Sequence, residues 1–219
     1  MSASRLRWDD PAFNPRAGKA QRDDGPQAAA PTGAPRGAPR EVRIIGGQWK
    51  RSKLPVAHKP GLRPTPDRVR ETLFNWLGQD LSGWRVLDVF AGSGALGFEA
   101  ASRGAADVLL LERDAELARS LNSSRERLKA QNLKVECTDG LAWMGRSATA
   151  RFELILLDPP FDAGLYETAV RTATRLLVDG GLLYVESPEA VLAPADGSLE
   201  PWRQGRAGAV HYCLLRKAG

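Results

Sequence analysis

The chain has 219 residues, of which 42% are hydrophobic, and it carries a formal net charge of +5. No apolar run approaches the roughly 20 residues needed to span a bilayer, and no secretory apolar segment opens the sequence. Cys137 and Cys213 lie far apart in sequence, and His58 and His211 are the only histidines, so neither a zinc site nor a disulfide framework is expected. We therefore expect a cytoplasmic protein with no metal and no membrane contact, built as one domain plus an extension.

The first 40 residues have the composition of a disordered tail, because residues 18–40 are rich in Ala, Pro and Gly and offer almost nothing to bury. Positive charge is concentrated immediately after this tail. Residues 42–70 hold eight basic side chains against one acid, Asp67, a balance of +7: Arg43, Lys50, Arg51, Lys53, Lys59, Arg63, Arg68 and Arg70. This compact basic segment predicts a docking surface for a polyanion, and a solvated basic face is the alternative.

Order is predicted to begin near residue 41. The β-prone stretches on both sides of Gly46-Gly47 predict a short basic hairpin, and the stretch GLRPTPDRVRETLFNWLG predicts an amphipathic helix. Thr65 is expected to cap that helix, with Pro66 at its first position. We accordingly divide the chain into a tail at 1–40, a basic hairpin and helix packed on the core at 41–80, and a main domain at 81–219.

Strand-like and helical segments alternate from Trp84 onward. The strands read WRVLDVF, VLLLE, LKVEC, FELILLD and LLYVE, and the helical stretches lie near 95–103, 114–130, 140–147 and 165–177. This alternation predicts an α/β fold, with a doubly wound and mostly parallel sheet that is covered on both faces. The closing segment AVHYCLLRK predicts a last strand, antiparallel at one side of the sheet.

Candidate ligand-binding residues follow the ends of these strands, where doubly wound sheets bind their ligands. After the first strand, Gly92, Gly94 and Gly97 match the pattern G-x-G-x-x-G, which permits close approach of a ligand to the backbone at a helix N-terminus. Asp88 precedes this loop and is placed either to accept hydrogen bonds from a cationic amine or to cap the loop amides. The glycine pattern alone also fits nicotinamide- and flavin-binding folds.

Acids end the next two strands as well. Glu112 stands about 20 residues after the glycine loop, a spacing at which an acid can hold both ribose hydroxyls of an adenosine group. Pairing with Arg113 or another surface base is the structural alternative. Asp139, after LKVEC, could face an adenine amine, although an ordinary Asp-Gly turn fits its spacing almost as well.

The stretch LLDPPF ends a fourth strand with an acid, two prolines and an aromatic ring. Because proline has no backbone N–H, this stretch ends a ladder and leaves carbonyl oxygens without local partners. It predicts either a stiff strand-to-loop turn capped by Asp158 or a group of hydrogen-bond acceptors beside a stacking surface, Phe161.

These motifs resemble those of a known family. DVFAGSGALG, LLLERD, CTDG and LLDPPF, in this order, resemble the S-adenosylmethionine-dependent methyltransferases of the Rossmann-like class. RIIGGQWKRSKLPV, GLRPTPDRVRETLFNWL and LLYVES extend the likeness to the bacterial small-subunit (16S) ribosomal RNA guanine-N2 methyltransferases, over about residues 42–217. The resemblance implies S-adenosylmethionine as cofactor, small-subunit ribosomal RNA, free or in an assembling particle, as partner, and a monomer.

The resemblance also implies roles for the site residues. Asp158 and the carbonyl oxygen of Pro159 would accept the two N–H groups of the guanine amine, and Phe161 would stack on the base. The cofactor would be bound by Asp88, Gly92, Gly94, Glu112 and Asp139. A paired guanine amine is inaccessible to a pocket, so the target would lie in a loop or be flipped out, with the basic segment holding the backbone around it.

Three other functions remain open at this point. A DNA adenine-N6 methyltransferase could use the same acceptors, although residues 63–77 argue for ribosomal RNA. A nicotinamide dehydrogenase could use the glycine loop, but no His or Lys is evident near the strand ends. A non-catalytic RNA-binding module with the same fold would be exposed by a methylation assay.

Overall fold

The computed structural model describes residues 41–57, 59, 64–147, 150–159, 163–190 and 193–219. The predicted tail at 1–40 and Phe161 lie outside these residues. Nine strands are assigned within them: β1 Glu41–Arg43, β2 Lys53–Pro55, β3 Arg85–Asp88, β4 Asp107–Glu112, β5 Leu133–Cys137, β6 Phe152–Leu157, β7 Leu177–Ser187, β8 Leu199–Ala207 and β9 Val210–Lys217. The helices are α1 Asp67–Trp76, α2 Ala95–Ser102, α3 Ala115–Leu128, α4 Gly140–Arg146 and α5 Ala163–Leu176.

Seven of these strands form one sheet in the order β5-β4-β3-β6-β7-β9-β8. Neighbours from β5 to β7 are parallel, whereas β9 is antiparallel to both β7 and β8. The predicted doubly wound, mostly parallel sheet is therefore confirmed. Strand order reverses between β3 and β6, because the chain winds from β3 to β5 in one direction and from β6 to β7 in the other. A reversal of this kind opens a crevice at the carboxyl ends of the strands.

Helices cover both faces of the sheet. On one face, α1, α2 and α3 pack with the short β1–β2 hairpin, through apolar residues such as Phe74, Phe98 and Leu121. On the other face, α4 and α5 pack through residues such as Met144 and Val170. The strands between them are apolar on both sides, which explains why they read as continuous hydrophobic runs in the sequence.

The last strand is antiparallel as predicted, but it is not at the edge. β9 lies between β7 and β8, and β8 forms the edge. β8 was not predicted from the sequence, because LEPWRQGRA contains a proline and alternates little between apolar and polar residues. The register shifts between Pro201 and Arg203, as expected where a proline interrupts a ladder.

At the N-terminal segment one local prediction is confirmed and one is wrong. β1 and β2 form an antiparallel hairpin on both sides of Gly46-Gly47, and the two glycines belong to a loop that contacts the end of α2. Pro66, not Thr65, occupies the N-cap position of α1, without a side-chain cap hydrogen bond. Thr65 instead donates a hydrogen bond from its hydroxyl to Glu186 on β7.

The loop between β1 and β2 is held against α2 by a buried carboxylate. Glu99 accepts hydrogen bonds from the backbone amides of Ile45 and Gly46, at 2.8 and 2.7 Å. It also pairs with the guanidinium groups of Arg70, at 3.2 Å, and Arg103, at 2.8 Å. Gly47 has a φ of 72°, and a Cβ atom there would lie 1.8 Å from the backbone oxygen of Ser102, so this close approach requires glycine. The basic hairpin and α1 therefore pack on the core.

In the part of the chain that the structure describes, no helix combines the length and hydrophobicity needed to cross a bilayer.

Candidate active site

Four acidic side chains lie along the carboxyl edge of the sheet, at the ends of adjacent strands. Glu112 ends β4, Asp88 ends β3, Asp158 follows β6 and Glu186 lies near the end of β7. The crevice at the strand-order reversal therefore lies between Asp88 and Asp158. Such a row of carboxyl groups, sheltered from water, favours cationic ligands and hydrogen-bond donors.

Asp88 is the innermost of these acids, with 2% of its surface exposed. Burial raises the pKa of its carboxyl to about 7, and the nearby Glu112 charge acts in the same direction, whereas hydrogen bonds from the backbone amides of Gly97 and Phe90 oppose the rise. The Gly97 amide donates to Asp88 Oδ2 at 3.0 Å. Asp88 thus fixes the first turn of α2 and also carries a carboxyl group that titrates near neutral pH.

The glycine loop turns into α2 through Gly94, which has a φ of 77° and is the N-cap residue. A Cβ atom there would lie 2.6 Å from Leu121 and 2.7 Å from Phe98, so both conformation and packing require glycine. At Gly97 a Cβ atom would lie 2.8 Å from Leu110 and 3.0 Å from Asp88. The predicted strand-to-helix turn is present, and the last glycine permits close packing of α2 on the sheet.

Glu112 binds the loop to β4. Its two carboxylate oxygens accept hydrogen bonds from the backbone amides of Gly92, at 2.9 Å, and Asp114, at 2.8 Å. Each oxygen keeps a second lone pair for a further donor. The structure thus brings Glu112 to the glycine loop, as the spacing predicts.

Asp139 has a local structural role. It is exposed and is the N-cap residue of α4, where its Oδ1 accepts a hydrogen bond from the backbone amide of Ala142 at 2.8 Å. Its other carboxylate oxygen is not used by that cap. Asp139-Gly140 thus begins a helix and is not the Asp-Gly turn considered from the sequence, and a contact between Asp139 and an adenine amine stays a prediction.

Asp158 and Pro159 follow β6 on the other side of the crevice. Pro159 is buried, whereas Asp158 is partly exposed. Desolvation raises the pKa of the Asp158 carboxyl well above its usual range, and the charges of Glu186 and Asp88 raise it further. Among the described residues, no group donates a hydrogen bond to the Asp158 side chain.

The fourth acid, Glu186, was not among the predicted site residues, although it ends the predicted strand LLYVE. Glu186 is 5% exposed and accepts hydrogen bonds from the hydroxyl groups of Thr65, at 2.9 Å, and Tyr184, at 3.0 Å. The rule that selected Asp88 and Glu112, an acid at the end of a parallel strand, also selects Glu186. Thr65 could not be found in this way, because its partner is 121 residues away in sequence.

The basic segment is less exposed than its charge suggests. Arg70 is fully buried between Glu99 and Asp67, and Lys59 pairs with Asp114 and Glu116. Arg43 and Lys53 pair with the exposed acids Asp67 and Glu41. The prediction that the eight cations of this segment form a docking surface is therefore wrong for Arg70, which is buried and ion-paired. Lys50, Arg51 and Arg68 are exposed and form no ion pair with any described carboxylate.

A seven-stranded sheet in this order, with a glycine loop after β3, defines the fold of the Rossmann-like methyltransferases. The chain belongs to the family described as Conserved hypothetical protein 95, whose model matches residues 42–216.

Curated relatives of the chain are named as ribosomal RNA methyltransferases. The chain is 43% identical over 182 residues to Ribosomal RNA small subunit methyltransferase D of Escherichia coli K12, across 81% of this chain and 90% of that protein. It is 39% identical over 183 residues to the Haemophilus influenzae protein of the same name, across 80% of this chain and 94% of that protein.

Solved structures agree with this assignment. An Escherichia coli protein, provisionally assigned as a methyltransferase, superimposes with a TM-score of 0.73 at 42% identity, over 82% of this chain and 99% of that one. An RNA methyltransferase from Salinibacter ruber, in complex with S-adenosyl-L-homocysteine, superimposes with a TM-score of 0.55 over 71% of this chain and 94% of that one. Its identity is 14%, so it supports the fold alone.

Proposed function

We propose that this chain transfers a methyl group from S-adenosylmethionine to the exocyclic N2 amine of a guanine in small-subunit ribosomal RNA. One observation carries the proposal: two desolvated carboxyl groups, Asp88 beside the glycine loop and Asp158 before Pro159, lie on adjacent strands at the strand-order reversal. The first suits a cationic cofactor, and the second suits an amine that loses a proton. The names of the curated relatives support ribosomal RNA as the substrate.

The residues at the glycine loop fit S-adenosylmethionine. The buried Asp88 carboxyl would face a positively charged part of the cofactor, and the free lone pairs of Glu112 would accept its ribose hydroxyls. Gly94 and α2 would place backbone amides next to it, and Asp139 would accept a hydrogen bond from its adenine amine. When bound, the cofactor would supply a methyl group attached to a cationic sulfur.

Asp158 and Pro159 would orient the target amine. The lone pair of a guanine N2 is delocalised into the ring, so its alignment requires acceptors that hold both N–H groups. The Asp158 carboxyl and the Pro159 carbonyl oxygen would provide them, and Phe161, which follows in sequence, would fix the plane of the base. Because both residues directly follow β6, these acceptors would be in place before the reaction, and such preorganisation supplies much of the rate enhancement of many enzymes.

Mass-spectrometric mapping of small-subunit ribosomal RNA from cells that lack this protein tests the proposal. One guanine should lose an N2 methyl group, and purified protein with S-adenosylmethionine should restore it on the free RNA or on an assembling particle. DNA carrying adenine targets should be tested in parallel. Methylation of the DNA adenine amine with the RNA unmodified would instead favour the DNA adenine-N6 methyltransferase considered from the sequence.

Cofactor binding is expected to release a proton below about pH 7. Asp88 has a pKa near 7 in the free protein, so part of the population must lose a proton before the carboxylate meets a cationic ligand. The affinity for S-adenosylmethionine should therefore rise between pH 6 and 8, by at most about tenfold per pH unit. Calorimetry in buffers of different ionisation enthalpy measures the released proton directly.

Protons that the ligand itself releases are the same for every variant. Two variants therefore separate them from the proton released by Asp88. Asp88→Asn should bind S-adenosylmethionine more weakly, and the part of the proton release that comes from the protein should be lost. Asp107→Asn, an exposed acid at the opposite end of β4, should keep the wild-type proton release. An unchanged proton release in folded Asp88→Asn would show that Asp88 does not face the cofactor.

RNA binding is expected to depend on Lys50, Arg51 and Arg68, the exposed cations of the basic segment. Lys50 and Arg51 lie on the loop held by Glu99, and Arg68 lies on the first turn of α1, three residues after Thr65. Replacing all three with Ala should weaken RNA binding and reduce the slope of log K against log salt by up to about 2–3. Filter binding or fluorescence anisotropy at several salt concentrations measures this slope.

The control removes the same charge from the other face of the sheet. Arg171 and Arg175 are exposed on α5, and Lys134 is exposed on β5. Replacing these three with Ala should leave the slope near its wild-type value. If both triple variants lower the slope equally, the interaction is not specific to the basic segment and the docking surface is assigned wrongly.

A further inference from the structure

Glu186 lies beside Asp158 on the neighbouring strand. Leu157 and Val185 are partners in the parallel β6–β7 ladder, so the next pair in register is Asp158 and Glu186. Side chains of directly paired residues point to the same face of a sheet, and neighbouring strands are about 4.8 Å apart. The two carboxyl groups therefore occupy the same side of the carboxyl edge.

Unequal hydrogen bonding distinguishes the two carboxyl groups. Glu186 Oε1 accepts hydrogen bonds from two hydroxyl groups, those of Thr65 and Tyr184, and both favour the ionised form. No described residue donates to Asp158. Burial raises the pKa of both carboxyl groups, and the charge of Glu186 adds to the rise at Asp158. Within the pair, these hydrogen bonds favour the negative charge on Glu186 and the proton on Asp158.

No cation among the described residues neutralises this pair. The titratable groups that face Glu186 are Asp158 on β6, Asp88 on β3, Tyr184 on its own strand and Tyr212, its partner on β9. On α1 the buried cation is Arg70, whose guanidinium is bound by Glu99 and Asp67 and donates to the backbone oxygen of Thr65. Among the described residues, a negative charge on Glu186 is therefore stabilised by the hydroxyl groups of Thr65 and Tyr184 and by no cation.

We propose that Glu186 is the final acceptor of the proton that the target amine loses, reached through Asp158; this inference rests on the function proposed above. The amine nitrogen becomes cationic as its lone pair forms the bond to carbon, and one N–H bond then breaks with its electron pair left on nitrogen. The proton passes to the free oxygen of Asp158 while the Asp158 hydroxyl proton passes to Glu186. Asp158 is neutral before and after, and Glu186 changes from carboxylate to carboxylic acid.

This arrangement explains how Asp158, although protonated, can accept a hydrogen bond and then a proton from the target amine. The neutral Asp158 still has a carbonyl oxygen that accepts a hydrogen bond from the amine. It can take the proton only if it gives up its own proton at the same time, and Glu186 supplies the base for that transfer. Glu186 is therefore a positioning residue that acts through Asp158, with Thr65 and Tyr184 stabilising its negative charge.

Glu186→Gln tests the relay. Its amide oxygen still accepts hydrogen bonds from Thr65 and Tyr184, so the melting temperature at neutral pH should not fall, but the side chain can no longer take a proton. Single-turnover methyl transfer should fall by about 10²-fold or more, the usual contribution of a general base. Glu153→Gln, an acid paired with Arg85 at the start of β6, should react at the wild-type rate. A wild-type rate for Glu186→Gln would overturn the relay.

A second measurement does not require activity. Carboxyl ¹³C NMR of the protein without cofactor or RNA can follow the titration of Asp158, assigned by the loss of its resonance in Asp158→Asn. In Glu186→Gln the midpoint of Asp158 should move to lower pH by about one unit or more, because the neighbouring negative charge is gone. An unchanged midpoint would overturn the pairing of the two acids.

The rate measurement and the NMR titration test the proposed function and the pairing of the acids separately. If wild-type protein methylates neither the RNA nor the assembling particle, the proposed function falls, and the NMR titration alone decides whether the acids are paired. If Glu186→Gln does not fold, Thr65→Val replaces it. That variant removes one of the two donors to Glu186, so the acidic limb of the pH–rate profile should move to higher pH, and an unmoved limb would contradict the proposal.

Discussion

Asp158→Asn is expected to lower the single-turnover rate of methyl transfer by about 10²–10³-fold, because a side chain that takes a proton in the transition state typically contributes about this much. The asparagine keeps the size of the side chain and one acceptor oxygen, but its amide group cannot accept and pass on a proton. Affinity for S-adenosylmethionine should change little, because the residues that fit the cofactor follow β3 and β4 rather than β6. Rapid-quench methyl transfer and calorimetry on one preparation measure both quantities.

The stability of Asp158→Asn separates catalysis from a structural turn. Desolvation and the neighbouring acids raise the folded-state pKa of Asp158, so its favourable contribution to folding is present at low pH and is lost as pH rises from about 4 through that raised value. Removing the carboxyl should therefore leave the melting temperature at pH 7.5 unchanged or higher. A residue that only capped the turn would give the opposite result, a lower melting temperature with activity surviving in the folded fraction.

Asp196→Asn is the matched control, because it makes the same substitution at a different position of the chain. Asp196 lies in an exposed turn, where its carboxylate accepts a hydrogen bond from the backbone amide of Ser198. Asp196→Asn should retain the rate of methyl transfer. If a stable Asp158→Asn protein also turns over at a near wild-type rate, Asp158 has no part in the chemistry and the proton relay through it is excluded as well.

The positions of Asp88 and Glu112 could be predicted because they depend on local order and on one general property of parallel sheets. Continuous apolar runs, each ended by an acid, indicate strands whose carboxyl ends meet at one edge, and the glycine loop indicates which crossover is tight. The contact between Glu112 and the Gly92 amide bridges only 20 residues and follows from that topology. Periodicity and strand ends were sufficient for these two residues.

Arg70 and Thr65 could not be placed from the sequence because their partners are distant and their residue types are ambiguous. An arginine on an amphipathic helix is usually solvated, and only the tertiary position of Glu99 makes Arg70 a buried ion-pair partner. A threonine before a proline is a plausible cap, yet its hydroxyl donates to Glu186 from a different element. Periodicity shows which face of a helix is apolar, but not which polar group on that face has a buried partner.

Glu99→Ala is expected to lower the free energy of unfolding by about 3–5 kcal/mol, the usual cost of removing one partner from a buried ion pair. The variant would leave the guanidinium groups of Arg70 and Arg103 buried without their shared carboxylate, at 0% and 9% exposure. It would also leave the backbone amides of Ile45 and Gly46 without an acceptor. Because small domains are stable by about 5–15 kcal/mol, this is a large fraction of the total.

Urea unfolding measures the loss, and Glu126→Ala provides the matched control. Glu126 is an exposed acid on α3, so its removal should change stability by no more than about 0.5 kcal/mol. Hydrogen exchange then shows how far the effect extends. Glu99 joins the β1–β2 loop, α1 and α2, so amides of α2 and of β3 beneath it should lose protection together with those of residues 44–52. If only residues 44–52 exchange faster, the loop is a separable attachment and Glu99 does not join it to the core.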